Sequence, residues 1–335
     1  MKPFYHFSDE ENNQLTHFLS QNAVNPYKNY QEFKLTINEL CQSGKLPDFF
    51  IDICNSIKYE RNRGISDVHV LRNCPRDIDI PELDPDNPLD AKYKNKKTFI
   101  GEALLETFAL LTGTPLLAYG SRHNGDFFTD VVAIRKYSGQ LTGFSDSELV
   151  YHNDRTAHAV RADFVTLLGL RCPEEELIFT GYIDGKSLIE HLSDASQEAL
   201  RQAWYRTDFD VYSRETNSRQ ISSPDHAILK NHHSIRYLDT LTHVAPGAPE
   251  QAKDALIEFM QAMTKAEKQR HRIIQGDLLV FANQDGLHNR EKIDIQNKDN
   301  AARRWLLKTY AFRDQITAEQ YQSYWADGVF GRVND

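Results

Sequence analysis

The chain has 335 residues, 40% of them hydrophobic and 26% charged, with a formal net charge of −9. That size and composition suit a globular protein able to bury a large core without crosslinks, and the acidic balance without clustered Lys and Arg argues against a nucleic-acid partner. No apolar run reaches bilayer-spanning length, and MKPFYHFSDEENNQ has no signal-peptide core, so a cytoplasmic location with no membrane partner is expected.

Residues 1–115 read as mainly helical. Leu104, Leu105, Phe108 and Leu111 give Glu102 to Thr112 the spacing of a half-buried helix, with Gly113 placed to cap it. Cys41, Cys54, Cys74 and Cys172 lack CxxC spacing and read as reduced thiols. Cys74 to Pro88 holds several prolines among acids and reads as an extended surface loop. From about Leu116 the texture changes to short β-branched or aromatic runs bounded by Gly, Pro or Asp: LLAYG, FFTDVVAIRKY, ELVYHND, FVTLLGLR and LIFTGYI. A helical pattern interrupts them at Ser187 to Tyr205, and 206–232 is polar and turn-rich enough to be a lid-like insertion. SIRYLDTLTHV resembles a strand. Pro249 to Lys268 reads as a helix with Leu256, Ile257, Met260 and Met263 on one face. RIIQGDLLVFAN and RRWLLKTYAF complete the β portion. The expected architecture is a β-core with surrounding helices, most simply a double-sheet barrel. It forms a single catalytic domain over 1–335, with the core at 116–312 and a tail at 313–335.

The chemistry concentrates at HND, residues 152–154, at the end of the apolar run ELVY. In an extended chain residues i and i+2 point to the same side, so His152 and Asp154 can present a nitrogen and a carboxylate to one point. Sites built from two histidines and one carboxylate suit non-haem iron(II), since their open positions admit a chelating cosubstrate and O₂. Alone, an HxD triplet carries little, because such triplets are common at turns and surfaces. A second histidine, His288, follows the buried run DLLVFAN and a turn at Asp285–Gly286, a place where histidine is ordinarily an exposed loop residue. Arg304 comes next; aimed inward it needs an anionic partner, and otherwise it is a surface cation at a strand start.

FTDVVAIRKYSGQLTGFSDSELVYHNDRTAHAVRADFVTLLGLRCP, GDLLVFANQDGLHNR and RRWLL occur in the order found in the clavaminate-synthase-like, TauD-type branch of the iron(II)/2-oxoglutarate oxygenases, and LRNCPRDIDIPELDP is reminiscent of that branch's leader. The sequence resembles this branch, which includes hydroxylases of free arginine, asparagine and lysine, over about residues 65–312. The resemblance implies a double-stranded β-helix (jelly-roll) oxygenase fold. It implies Fe(II), 2-oxoglutarate and O₂ as cofactor and co-substrates, with conversion of 2-oxoglutarate to succinate and CO₂ coupled to hydroxylation of an unactivated C–H bond. By the same resemblance His152, Asp154 and His288 are the metal ligands and catalytic centre. Arg304 and Thr180 hold the cosubstrate, His158 and Arg161 flank the first block, and Arg171 ends the following strand.

Three departures bear on the substrate. Asp154 replaces the branch's more common Glu. The spacing from His288 to Arg304 is longer than usual, which makes Arg303 a rival for the same role. Lys308 stands where relatives often hold the substrate carboxylate with arginine. Asp239 is a candidate contact for a cationic side chain, or else a surface turn acid. Arg122 and the flanking serines Ser145 and Ser147 complete the candidate substrate contacts. The partner implied is a small-molecule free amino acid, polar or basic, with lysine or arginine-like substrates favoured. The alternatives are desaturation or cyclisation at the same iron site and, more remotely, a non-catalytic jelly-roll binding module. Asp154 argues against halogenation, which needs the carboxylate removed.

Overall fold

The computed structural model of the protein describes residues 1–140, 142–216 and 221–334. Alternation along one strand shows how its layers stack. In Leu278–Ala282, Leu278, Val280 and Ala282 enter one apolar cluster while Leu279 and Phe281 enter another, as the two-residue period of a strand dictates. Every residue of this strand is buried, so its sheet is covered on both faces and LLVFA carries no polar alternation.

That main sheet runs, in spatial order, Tyr5–His6, Val68–Arg72, Leu278–Ala282, Phe164–Arg171, Trp305–Ala311, Leu116–Tyr119 and Arg332–Val333, with Thr129–Val131 also paired to Trp305–Ala311. A second sheet has the order Gln269–His271, Leu177–Asp184, Gly286–Asp294 and Leu149–His152, antiparallel throughout. One face of the main sheet packs on the helices Asp9–Leu19, Tyr30–Gln42, Asp48–Asn62 and Ile100–Thr112. The other meets the second sheet, where the rings of Tyr182 and Phe281 lie 5.8 Å apart. Beyond the second sheet, Ile183 and Leu287 pack among residues of Asp194–Leu200 and Glu250–Lys265.

Several expectations from sequence need correction. The N-terminal part is mainly helical, but its strands Tyr5–His6 and Val68–Arg72 extend the main sheet, so residue 116 does not mark where the β-core starts. Ile100–Thr112 ends at Gly113 in the left-handed region as expected, yet it is buried nearly all round. Its acids are neutralised internally: Glu102 accepts from Lys96 Nζ at 2.8 Å and Tyr27 OH at 2.6 Å, and Glu106 accepts from Tyr30 OH at 3.0 Å. In Glu250–Lys265 the buried stripe is Ala252, Ala255, Phe259, Ala262 and Met263, while Ile257 and Met260 are 45% and 46% exposed. Small side chains face the neighbouring helix there, and that contact outweighs the bulk of Ile257 and Met260. SIRYLDTLTHV is broken into Ser234–Ile235 and Thr242–Val244, because Tyr237 between them exchanges hydrogen bonds with Asn153 instead. The insertion 206–232 is anchored where it is described, with Phe209 and Ile228 buried; its residues 217–220 lie outside the described residues.

The turn into Gly286–Asp294 is sterically exacting. A Cβ on Gly286 would lie 2.3 Å from the Tyr182 ring and 2.6 Å from the Ile183 carbonyl. Gly286→Ala is therefore expected to cost about 1–3 kcal/mol of stability, as overpacking does, read as a lower urea midpoint at unchanged slope. A wild-type midpoint would show that the turn has room to relax.

Candidate active site

Two histidines distant in sequence become direct cross-strand partners. His152 ends Leu149–His152 and pairs in register with His288, the third residue of Gly286–Asp294. Such pairs bring side chains within contact, and the two ring centroids lie 4.2 Å apart. Asp154 follows two residues later, its Oδ1 3.4 Å from His152 Nε2 and 3.7 Å from His288 Nε2. One ligand atom from each of the three lies within 4.8 Å of the others.

Asn153, between the ligands, faces the other way and locks them in place. It is fully buried, and its Nδ2 donates to the carbonyls of Asn283 at 2.5 Å and Gly286 at 2.8 Å. Asn283 reciprocates: its Oδ1 accepts from Asp154 N at 2.7 Å and its Nδ2 donates to Asp154 O at 3.1 Å. The turn that delivers His288 is thereby bolted to the triplet that delivers His152 and Asp154. Sequence reading assigns neither asparagine a role; an amide within a ligand triplet and another in the turn ahead of the third ligand are the signal it offers.

The protonation states suit a divalent cation. His152 Nδ1 lies 2.7 Å from the Val150 carbonyl, which fixes the proton there and leaves Nε2 as the ligand. Burial, then the neighbouring His152, pushes the His288 pKa down to about 4, so its ring is neutral at neutral pH. Burial alone would raise Asp154, but Lys308 and the two histidines more than offset it and hold the carboxyl well below its ordinary range. Lys308 Nζ lies 3.1 Å from Asp154 Oδ2 and donates to Tyr310 OH at 2.7 Å. The lysine expected at a substrate carboxylate is thus engaged with the carboxylate of the triad, which leaves Oδ1 to face the histidines. Two imidazoles and one monodentate carboxylate fit a non-haem iron(II) centre with open positions. A second grouping, Asp67, His233 and Asp285, is less suited, because Arg313 and Ser234 already donate to Asp285.

The triad lies in an open-mouthed cavity between the sheets. Arg304 and Thr180 both line it. Arg303, the rival in sequence, is turned outward and donates to Glu82 at 2.6 Å. Arg304 has no ion-pair partner among the described residues, and burial lowers its pKa. Arg290 also lines the cavity, and burial followed by the Arg304 charge pushes it down to about 9. A half-buried guanidinium placed like Arg304, with no acid beside it, suits an anion.

The candidate substrate contacts divide. Lys308 and Arg122 reach the cavity, but Arg122 is bound to Asp210 at 3.2 Å and Ser213 at 2.5 Å. Asp239 does not reach it; its Oδ1 accepts from Tyr237 OH at 2.7 Å, because the broken strand turns this acid back on its own segment. Ser145 and Ser147 stay outside the main cavity, their carbonyls taken by Arg290. His158 lines the cavity as a neutral ring, its pKa lowered by burial and then by Arg155. Arg161 instead donates to Gln284 at 2.7 Å, and Arg171 to the Pro81 carbonyl at 3.0 Å. Sequence reading misses the acids Asp208 and Asp210 and the aromatic Phe209, which the insertion brings to the cavity wall.

A His–Asp–His triad between two facing β-sheets, with a half-buried arginine in the same cavity, describes a jelly-roll oxygenase, the fold expected from the sequence. Residues 102–310 match the family model described as "Taurine catabolism dioxygenase TauD, TfdA family", and the chain belongs to that family. It is 26% identical over 259 residues to the L-asparagine oxygenase of Streptomyces coelicolor, covering 76% of this chain and 74% of that protein. Among solved structures it is similar to an asparagine oxygenase in complex with Fe(II), 2S,3S-3-hydroxyasparagine and succinate (TM-score 0.79, 18% identity, 97% of this chain and 98% of that one). It is also similar to the non-heme iron oxygenase OrfP in complex with Fe and alpha-ketoglutaric acid (TM-score 0.77, 19% identity, 99% of each chain). No helix among the described residues is long and apolar enough to cross a membrane.

If the triad holds a metal, replacing His152, Asp154 or His288 by Ala should weaken Mn(II) binding by at least about 100-fold, the upper end of what losing even an outer partner of a ligand costs. Calorimetry reads the loss and circular dichroism the persistence of fold. Undiminished binding by Asp154→Ala would exclude this carboxylate as a ligand.

Proposed function

We propose that this enzyme is an iron(II)- and 2-oxoglutarate-dependent hydroxylase acting on an unactivated C–H bond of a free polar or basic L-amino acid, arginine- or lysine-like substrates being favoured. The observation that carries the reading is the meeting in one cavity of the His152–Asp154–His288 donors with Arg304, a half-buried guanidinium with no acid of its own among the described residues. Iron(II) bound by the three donors supplies O₂ activation coupled to decarboxylation of 2-oxoglutarate to succinate and CO₂.

The protein's own residues do the rest by position and charge. Arg304, with the Thr180 hydroxyl, takes the distal carboxylate of 2-oxoglutarate and sets its reach toward the metal. Lys308 keeps Asp154 ionised and one of its oxygens occupied. At the substrate side, Asp208 and Asp210 line the cavity wall together with Arg122, to which Asp210 is paired, and a wall offering both signs suits a polar, zwitterionic free amino acid. The L-asparagine oxygenase relative, and the solved OrfP complex with Fe and L-Arg, support a free amino acid as the substrate class. The insertion 206–232 acts as the lid, covering the cavity and excluding water. We take 1–335 to work as one catalytic unit, since strands from the N-terminal part complete the main sheet.

The test is succinate formation with Fe(II) and 2-oxoglutarate across a panel of free amino acids, in wild type and two arginine variants. A basic or polar L-amino acid should stimulate turnover. Arg304→Ala should raise the cosubstrate KM by about 10²–10⁴-fold, from the ~3–5 kcal/mol lost when one partner of a buried pair is removed, with Arg303→Ala near wild type. No stimulation by any free amino acid would refute the substrate class, and the reverse order of the two variants would refute the role of Arg304.

A further inference from the structure

The insertion that brings Asp208, Asp210 and Ser213 to the cavity needs a surface to rest on. Its helix Val211–Thr216 lies against the loop that leads into Leu149–His152. Tyr212 packs on Phe144 at 4.6 Å and on Tyr137 at 5.6 Å between ring centroids. Glu215 accepts from Tyr137 OH and Lys136 Nζ, both at 2.7 Å. Residues 143–147 belong to no strand or helix. The Phe144 carbonyl accepts from Ile134 N at 2.8 Å and Asp146 from Ser138 and Gly139, but no backbone ladder ties this loop to the strand that carries His288.

Arg290 does so instead. Its Nη2 donates to the carbonyls of Ser147 at 2.6 Å and Ser145 at 2.7 Å, its Nε to Ser147 again at 2.9 Å, and its Nη1 reaches the Gly143 carbonyl at 3.4 Å. Phe144, the residue under Tyr212, lies between two of the residues so gripped. Arg290 is also two residues beyond His288 on the same strand, and with Arg304 it lines both the main cavity and a smaller one adjoining it. One planar guanidinium therefore touches the inner end of the cavity and the support of its cover.

We propose that Arg290 is a positioning residue that fixes loop 143–147 as the seat of the insertion, so that an anion bound beside Arg304 firms the closure of the cavity mouth. The coupling rests on the cosubstrate reading above; the seat does not. An anion there relieves the repulsion between the two arginines and lets Arg290 keep its grip on the carbonyls. The insertion then docks on a formed surface, and cosubstrate binding prepares the cover before the amino acid arrives.

Hydrogen exchange on the full chain tests both statements, using wild type, Arg290→Met and Phe144→Ala, with and without Mn(II) plus 2-oxoglutarate. Without ligands, amides 211–216 should exchange on the order of tenfold faster in both variants, as expected for local opening of a weakly supported segment, while Gly286–Asp294 stays as slow as in wild type. Unchanged exchange at 211–216 overturns the seat. Phe144→Ala decides this alone if Arg290→Met does not fold, since it leaves the histidine strand untouched. With Mn(II) and 2-oxoglutarate at concentrations that calorimetry shows to saturate both proteins, amides 211–216 should slow in wild type and not in Phe144→Ala, and the variant should bind the cosubstrate more weakly by up to the same factor. Equal protection in the two proteins overturns the coupling. Failure of wild type to bind 2-oxoglutarate overturns the coupling together with the cosubstrate reading, and the ligand-free exchange still decides the seat.

Discussion

The register that sets His288 opposite His152 is the constraint on which the rest of the site depends. In an antiparallel pair a slip of one residue turns every side chain to the other face, which here would carry His288 out of the cavity and into the outer apolar layer where Leu287 now packs. Three devices hold the register. Gly286 lets the chain pass beneath the Tyr182 ring, Asn153 ties the triplet to the turn ahead of His288, and Asn283 returns the bond from the other side. None touches a ligand atom, yet each limits where the ligand atoms can go.

Charge organises the cavity from that fixed point outward. Asp154 reaches across between the sheets, one oxygen toward the imidazoles of the second sheet and the other toward Lys308 of the main sheet. A carboxylate spread between a metal site and an ammonium stays ionised despite its burial. Deeper in, Arg290 and Arg304 repel each other in a low-dielectric wall where an anion is worth more than it would be in water. The mouth carries both signs, with Asp208 and Asp210 beside Arg122 and Arg155 and with Asp210 paired to Arg122.

How much of this the sequence discloses depends on whether a position answers to a local rule. Strand alternation shows that His152 and Asp154 can share a face, but their role, like that of His288 and Arg304, is legible through the resemblance of the two sequence blocks to the oxygenase branch and not through a local rule. The structure separates Arg304 from Arg303: the short helix Lys298–Ala302 ends just before the two arginines, and Arg303 turns out to Glu82. Asp239 misleads because an alternating pattern suggests one strand where Tyr237 is instead captured by Asn153. Ile257 and Met260 mislead, while Met263 is buried and Leu256 packs against the same cluster, because the buried stripe of that helix is completed by small alanines with no hydrophobic signature. Asp208 and Asp210 sit in an insertion whose polarity hides its function, since only tertiary contact brings it over the cavity.

The central claim is that both atoms of O₂ are spent in one cavity, one on 2-oxoglutarate and one on the amino acid. The most direct measurement is turnover under ¹⁸O₂ with mass analysis of both products. Label is expected in the carboxylate of succinate and in a new hydroxyl of the amino acid. Labelled succinate beside an amino-acid product with no new labelled oxygen would contradict hydroxylation, and an absence of labelled succinate would contradict the cosubstrate itself.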